Sequence, residues 1–220
     1  MWSEATVKMI SVGILESFYM IFLSSFIAYI IGLPLGVLLV VTDKDGIAPR
    51  VSLNKALGVI VNLIRSVPFI ILLIAVMPFT RAIVGTSIGP NGVVVPLIIA
   101  SAPYIARLVE SSLNEVDQGV IEAAQSMGAS PMQIIFKVLI PEAKPSLIIG
   151  GAIAVTTILS YSAMAGIVGG GGLGDIAIRY GYHRYETEIM FVTVIILVIM
   201  VQVIQELGTL WSKRSDKRIH

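Results

Sequence analysis

Gly169 to Gly174 reads GGGGLG and formally satisfies G-x-G-x-x-G, a spacing at which backbone amides can cradle a phosphate. Its surroundings speak against that chemistry. No strand-like segment precedes it, there is no βαβ setting, and no Lys-Ser or Lys-Thr pair follows. Glycines here suit a chain that leaves a helix and enters a turn. Other reactive constellations are equally thin. The chain has no Cys, which excludes disulfides and thiolate metal sites. Its two His, His183 and His220, fall in a loop and at a chain end, too scattered for a histidine metal cluster. We therefore expect no catalytic residue, no metal ligand and no cofactor bound by this chain. The candidates that remain would bind or gate. Tyr161, Ser162 and Met164 lie in an uncharged run among Gly150, Gly151, Ala152, Ala154 and Gly166. Small residues let membrane helices pack closely, and that is one reading. The other is the lining of a pathway, with Tyr161 and Ser162 as sparse hydrogen-bonding groups and Met164 as a soft apolar gate, because Met adapts to irregular gaps.

The elements that must hold these residues are long and oily. Of the 220 residues, 56% are hydrophobic and 13% charged, about half the charge of a soluble domain. Ser17–Thr42, Ala82–Ala106 and Pro145–Gly174 carry no charge over 26, 25 and 30 residues; Ile189–Gln205 is also uncharged, and Ala56–Thr80 is broken only by Arg65. A spanning helix needs about 20 apolar residues, so five spans are expected, at about 14–41, 56–79, 92–110, 145–168 and 188–210. Short alternating segments of a membrane β-barrel are absent. The first span has no small-x-small cleavage pattern after it and reads as retained. The expectation is a single all-α integral membrane domain.

Lys and Arg set its orientation. With the N-terminus outside, the inner side holds Lys44, Arg50, Lys55, Arg65, Arg107, Lys137, Lys144, Lys213, Arg214, Lys217 and Arg218. The outer side holds only Lys8, Arg81, Arg179 and Arg184. The C-terminus is then cytoplasmic, and its KRSDKR run is an inner-side anchor with no call for a nucleic-acid partner.

Between two of the uncharged runs, Arg107–Lys144 packs eight charges into 38 residues. Asp117–Met127 favours a helix with Val120, Ile121, Ala124 and Met127 toward one side and Glu122, Gln125 and Ser126 toward another. Gly128 stands where a left-handed C-terminal cap belongs. Ser130, Pro131 and Gln133 then read as N-cap, first helical position and capping-box partner. Met132, Ile135, Val138 and Leu139 share a face of the second helix, and Pro141 is expected to end it. The insert, about 115–141, is thus two short helices around a tight corner, each below the ~12–15 residues an isolated helix needs in water. Either it is a compact interhelical loop, or it is a rigid docking knob for a cytoplasmic protein.

Glu122-Ala123-Ala124, three residues, Gly128, nine residues, then Val138-x-Ile140-Pro141 resembles the EAA loop of permease subunits in ATP-binding-cassette importers. Val138 and Ile140 replace that family's Ile and Leu. The resemblance implies a coupling helix seated in a groove of the ATPase, with Glu122 contacting the ATPase or fixing the loop. Ala123 and Ala124 would permit close approach, Gly128 would make the corner, and Met127, Pro131 and Pro141 complete the loop. Arg65–Gly89, Ala102–Leu113 and Tyr161–Tyr182 are similar to permeases of methionine importers in the type I branch. The resemblance implies a type I importer permease fold in a bacterial plasma membrane. It implies two cytoplasmic ATPase subunits that carry ATP and Mg, a second copy of this chain, and an extracytoplasmic methionine-binding protein. The permease itself would be no enzyme.

Other features stay open. Arg65 is either a snorkelling side chain or a pathway or dimer contact. Pro34, Pro68, Pro78, Pro96 and Pro103 are expected to kink their spans. Glu16, just before the first uncharged run, receives no role. The polar segment Asp175–Glu188 is a solvated loop with interfacial tyrosines or, by the resemblance, a contact for the binding protein through Arg179, Tyr182 and Arg184. A permease for another amino acid is the alternative. A secondary transporter is disfavoured, because the uncharged runs hold no acid and five spans do not divide into equal inverted repeats.

Overall fold

The computed structural model describes residues 4–216; Lys217 and Arg218, counted above for the inner side, lie outside them. Eleven α-helical segments and short 3₁₀ and π turns, joined by turns and loops, account for most of the described residues, with no strand among them. The long helices are α1 (Glu4–Val41), α5 (Gly89–Asn114), α9 (Lys144–Met164) and α11 (Thr187–Ser215). Each is long and apolar enough to cross a membrane, α9 together with the helical turns that follow it. A fifth candidate is α2 (Val51–Ser66) with α3 (Phe69–Ala75), which pass the same test only together. The break falls at Val67–Pro68: Pro68 has no amide hydrogen, and its ring disfavours helical backbone at Val67. α4 (Met77–Val84) takes Pro78 in its first turn, where no amide is needed. α1 runs on through Pro34 and α5 through Pro96 and Pro103 as continuous helix, each proline leaving one carbonyl of the preceding turn without its amide partner.

The chain forms two compact units. The first comprises Met1–Ala28, Val67–Ser101 and Val155–Ile204. One of its cores joins Met20, Phe69, Leu73, Val93, Leu97, Ile158 and Ala165. Another joins Ile10, Ile21, Leu159, Leu173 and Met200. The second unit comprises Tyr29–Ser66, Ala102–Ala154 and Gln205–His220, with a core of Leu39, Val61 and Ala106. In this unit α1 and α5 meet almost backbone to backbone. A Cβ on Gly32 would stand 2.7 Å from the Ala102 carbonyl oxygen, and one on Gly36 2.6 Å from that of Ala106. Two glycines four apart therefore clear one stripe of α1 for close packing, as membrane helices do. Asn54 closes the end of α1, its Nδ2 donating to the Leu39 carbonyl at 2.6 Å. Much of the remaining surface is apolar: Leu15, Phe22, Phe26 and Ile30 on α1 and Phe191, Ile195, Ile199 and Val203 on α11 are exposed. An apolar exterior is what hydrocarbon, as solvent, requires.

Candidate functional site

The insert lies wholly within the second unit and is built from local capping rules. After α5, Asp117 takes an extended conformation and caps α6 (Gln118–Ser126); its Oδ1 accepts from the Gly119 amide at 2.7 Å. At the other end the Gly128 amide donates to the Gln125 carbonyl at 2.9 Å, and the Ala129 amide to the Ala124 carbonyl at 3.1 Å. These two bonds form a Schellman closure, which needs a left-handed residue between them. Gly128 supplies it at φ 79°. The chain reverses at once into α7 (Pro131–Ile134). Ser130 Oγ accepts from the Gln133 amide at 3.4 Å, and Gln133 Oε1 accepts from the Ser130 amide at 2.8 Å. The corner and both caps form as the sequence indicates.

The second arm differs from expectation. Pro141 does not end it. Ile135–Leu139 widens into a π turn, with the Ile140 amide donating to the Ile135 carbonyl five residues back. A widened turn accommodates the proline ring that an α turn would crowd. α8 (Ile140–Glu142) carries Pro141 in its first turn. The Ala143 amide then reaches the Leu139 carbonyl at 3.0 Å, and the Leu147 amide the Ala143 carbonyl at 2.8 Å. The arm therefore leads through a single turn into α9.

The buried faces also shift. Ile121 and Ala124 of α6 are buried as expected, but Val120 and Met127 are exposed, Met127 to 82%. On the second arm Ile134, Ile135 and Leu139 are buried, while Met132 and Phe136 are each 61% exposed. Ile135 and Leu139 keep the expected buried face, and Ile134 takes the place expected for Met132. Val120, Met127, Met132 and Phe136 leave apolar side chains exposed on an otherwise polar insert. Glu122, Ala123, Gly128 and Pro131 are exposed as well. Glu122 borders a polar recess of about 300 Å³ together with Asn114, Gln118, Gln125, Asp43 and Lys44. Two turns before the insert, Arg107 pairs with Glu110 at 2.6 Å and donates to Asn62 Oδ1 at 2.9 Å, fixing this part of α5 to α2.

The other candidates lie in the first unit. Tyr161 is half-buried and stacks on Phe69, ring centroids 4.5 Å apart and nearly parallel. Ser162 is buried, and its Oγ donates to the Leu159 carbonyl of its own helix at 2.7 Å. Met164, the last residue of α9, is 42% exposed. The segment after the glycine run is no loose loop; α10 (Gly172–Ile176) continues into a π turn over Ala177–Tyr182. Arg179 pairs with Asp175 at 2.7 Å, and the Arg179 and Arg184 guanidinium groups lie 5.2 and 4.5 Å from the Tyr180 ring centre. Tyr182 is exposed beside them. Tyr180, which sequence reasoning passed over, gathers the two cations.

With this geometry in hand, comparison with known proteins is direct. The chain is 52% identical over 203 residues to a probable D-methionine transport system permease protein MetI of Vibrio cholerae, which covers 92% of this chain and 90% of that one. It is 45% identical over 181 residues to the methionine import system permease protein MetP of Bacillus subtilis, with 82% of each chain covered. Its backbone matches a chain from inward-facing conformations of the MetNI methionine ABC transporter with a TM-score of 0.96 and 46% identity, covering 98% of this chain and 100% of that one. An amino acid ABC transporter at 20% identity and a TM-score of 0.79 shares the fold. The family model described as binding-protein-dependent transport system inner membrane component matches residues 32–220, and this chain belongs to that family.

Proposed function

We propose that this chain is the permease subunit of an ATP-driven methionine importer, D-methionine included, and that the insert 118–142 couples it to a cytoplasmic ATPase. One observation carries the reading: a doubly capped corner presents exposed Met127, Met132 and Phe136 and leads through a single turn into α9. Such a corner is too short to stand without packing, and it offers apolar side chains to whatever covers it. The full-length relatives named for methionine transport support the substrate.

In this reading two ATPase subunits hold ATP and Mg, and two copies of the permease face each other across a two-fold axis. The N-terminus lies outside and the C-terminus in the cytoplasm. A methionine-binding protein docks on the outer side, where Arg179, Arg184 and Tyr182 form a basic, aromatic ledge. Tyr161 and Met164 belong to the pathway, with Met164 as its narrowing. Closure of the ATPases moves the insert, and the hydrogen-bonded turn at Ala143 passes that movement to α9. A ligand-driven shift of this kind needs two discrete states biased by differential contacts, which nucleotide-bound and nucleotide-free ATPases supply.

The test is reconstitution of the permease with its ATPase in vesicles, with loaded binding protein outside. Labelled methionine should accumulate only with ATP. Accumulation of a different amino acid, with none of methionine, would overturn the substrate; methionine uptake independent of ATP would overturn the coupling.

A further inference from the structure

Glu16, which received no role above, and the glycine run both stand outside the proposed mechanism. Within the first unit they meet. The Gly172 amide donates to Glu16 Oε2 at 2.7 Å, and the Leu173 amide to Ser17 Oγ at 2.9 Å. Two adjacent side chains of α1 thus take the first two free amides of α10, across 156 residues of sequence. The backbone is shaped for this. Gly171 and Gly172 both adopt positive φ, 77° and 72°. A Cβ on Gly171 would stand 3.0 Å from Glu16 Oε2, and one on Gly172 2.7 Å from Ser17 Oγ. The glycines that look like a phosphate cradle do bind an anion, and it is the chain's own carboxylate. The same logic governs both cases: free amides at a helix start favour negative charge.

The consequence lies two residues further on. A Cβ on Gly174 would overlap the backbone of Ala163, and one on Gly166 the backbone of Gly174 and Asp175. α10 therefore rests directly on the end of α9 with no side chain between them, and Met164 is the next residue along. Only Leu173 separates the residue whose amide Glu16 holds from the glycine that touches Ala163. Backbone contacts of this kind do not yield as long side chains do.

We infer that Glu16, seconded by Ser17, is the positioning residue of the Met164 gate: its carboxylate clasps the start of α10 and so holds the end of α9 in its closed place. Glu16 touches neither substrate nor nucleotide; it acts through Gly172 and Gly174. The inference rests on Met164 being a gate, and the experiment separates the two ideas.

The chain has no Cys, so Met164→Cys introduces a single thiol. Cells carrying the assembled transporter are treated from outside with a membrane-impermeant maleimide, at rest and during methionine uptake. With Glu16 intact, labelling is slow at rest and rises with uptake. Glu16→Ala should raise the resting rate about tenfold or more, the factor a hydrogen bond to a charged group is worth. Glu16→Gln keeps an acceptor oxygen without the charge and should fall between. Ser17→Ala, a milder loss, should shift the rate in the same direction and keeps the test readable if Glu16→Ala does not assemble. A thiol that responds to uptake but is indifferent to Glu16→Ala and Ser17→Ala overturns the clasp alone. A thiol unreactive even during uptake overturns the gate, and the clasp with it.

Discussion

Gly128 gives a clean perturbation, because its two possible roles can be separated by choice of side chain. A Cβ there would meet nothing within 4 Å, so substitution meets no steric obstacle in this chain. What opposes it is φ at 79°. A left-handed residue other than Gly costs about 1–2 kcal/mol, and a branched one about 1–3 kcal/mol as strain. α6 has little to set against that cost: nine residues, held by the Schellman closure and by the buried side chains of Ile121 and Ala124. Since about 1.4 kcal/mol is tenfold, Gly128→Val should deplete the correct corner by roughly ten- to a hundredfold. Gly128→Asn should cost far less, because Asn tolerates the left-handed region. The assay is the ratio of methionine taken up to ATP hydrolysed in vesicles, with membrane insertion checked separately. Val should uncouple, Asn should remain close to Gly, and both should insert. Val behaving as Gly would refute the tight corner. Asn failing as badly as Val would refute the backbone argument and point to a Cβ clash with the partner.

Two further outcomes follow from the same geometry. Ser130→Ala removes the hydroxyl that caps α7 and should cost about 1 kcal/mol, seen as a severalfold fall in the coupling ratio, smaller than that of Gly128→Val. An unchanged ratio would mean that the second corner is held elsewhere. Gly36→Leu drives a side chain into the Ala106 carbonyl and Val109; it should lower the thermal midpoint of the purified protein by the several degrees that about 1–3 kcal/mol of overpacking implies. Gly58→Ala, whose nearest contact is Arg107 at 3.7 Å, should instead leave the midpoint unchanged or raise it through helix propensity.

What the sequence made legible is what acts within a few residues. Gly128, Ser130 and Gln133 follow capping rules that close over at most five positions, and all three do what their types predict; Asp117, read as the first helical residue, is instead the cap just before the helix. The long helices were legible because hydrocarbon forbids charge over about twenty residues. Pro141 was misread because a proline's clash with the preceding turn can be relieved by widening that turn, and the choice depends on packing of Ile134, Ile135 and Leu139. Met132, placed on the buried face with Ile135 and Leu139, is exposed, and Ile134 is buried in its stead. The bond of Ser162 to the Leu159 carbonyl was not legible, because a hydroxyl in a helix can turn either to the carbonyl three residues back or to a neighbour. The close approach at Gly32 and Gly36 had a signal, G-x-x-x-G in an apolar run, which went unused. The clasp of Glu16 on Gly172 had none, since nothing local ties residues 156 positions apart.

The coupling role of the insert is tested most directly by Ala123→Cys in the otherwise thiol-free chain, with a short bifunctional reagent applied in native membranes. The account predicts capture of an ATP-hydrolysing subunit, with a yield that changes when nucleotide is added. Full membrane insertion with no such product in either condition would contradict it.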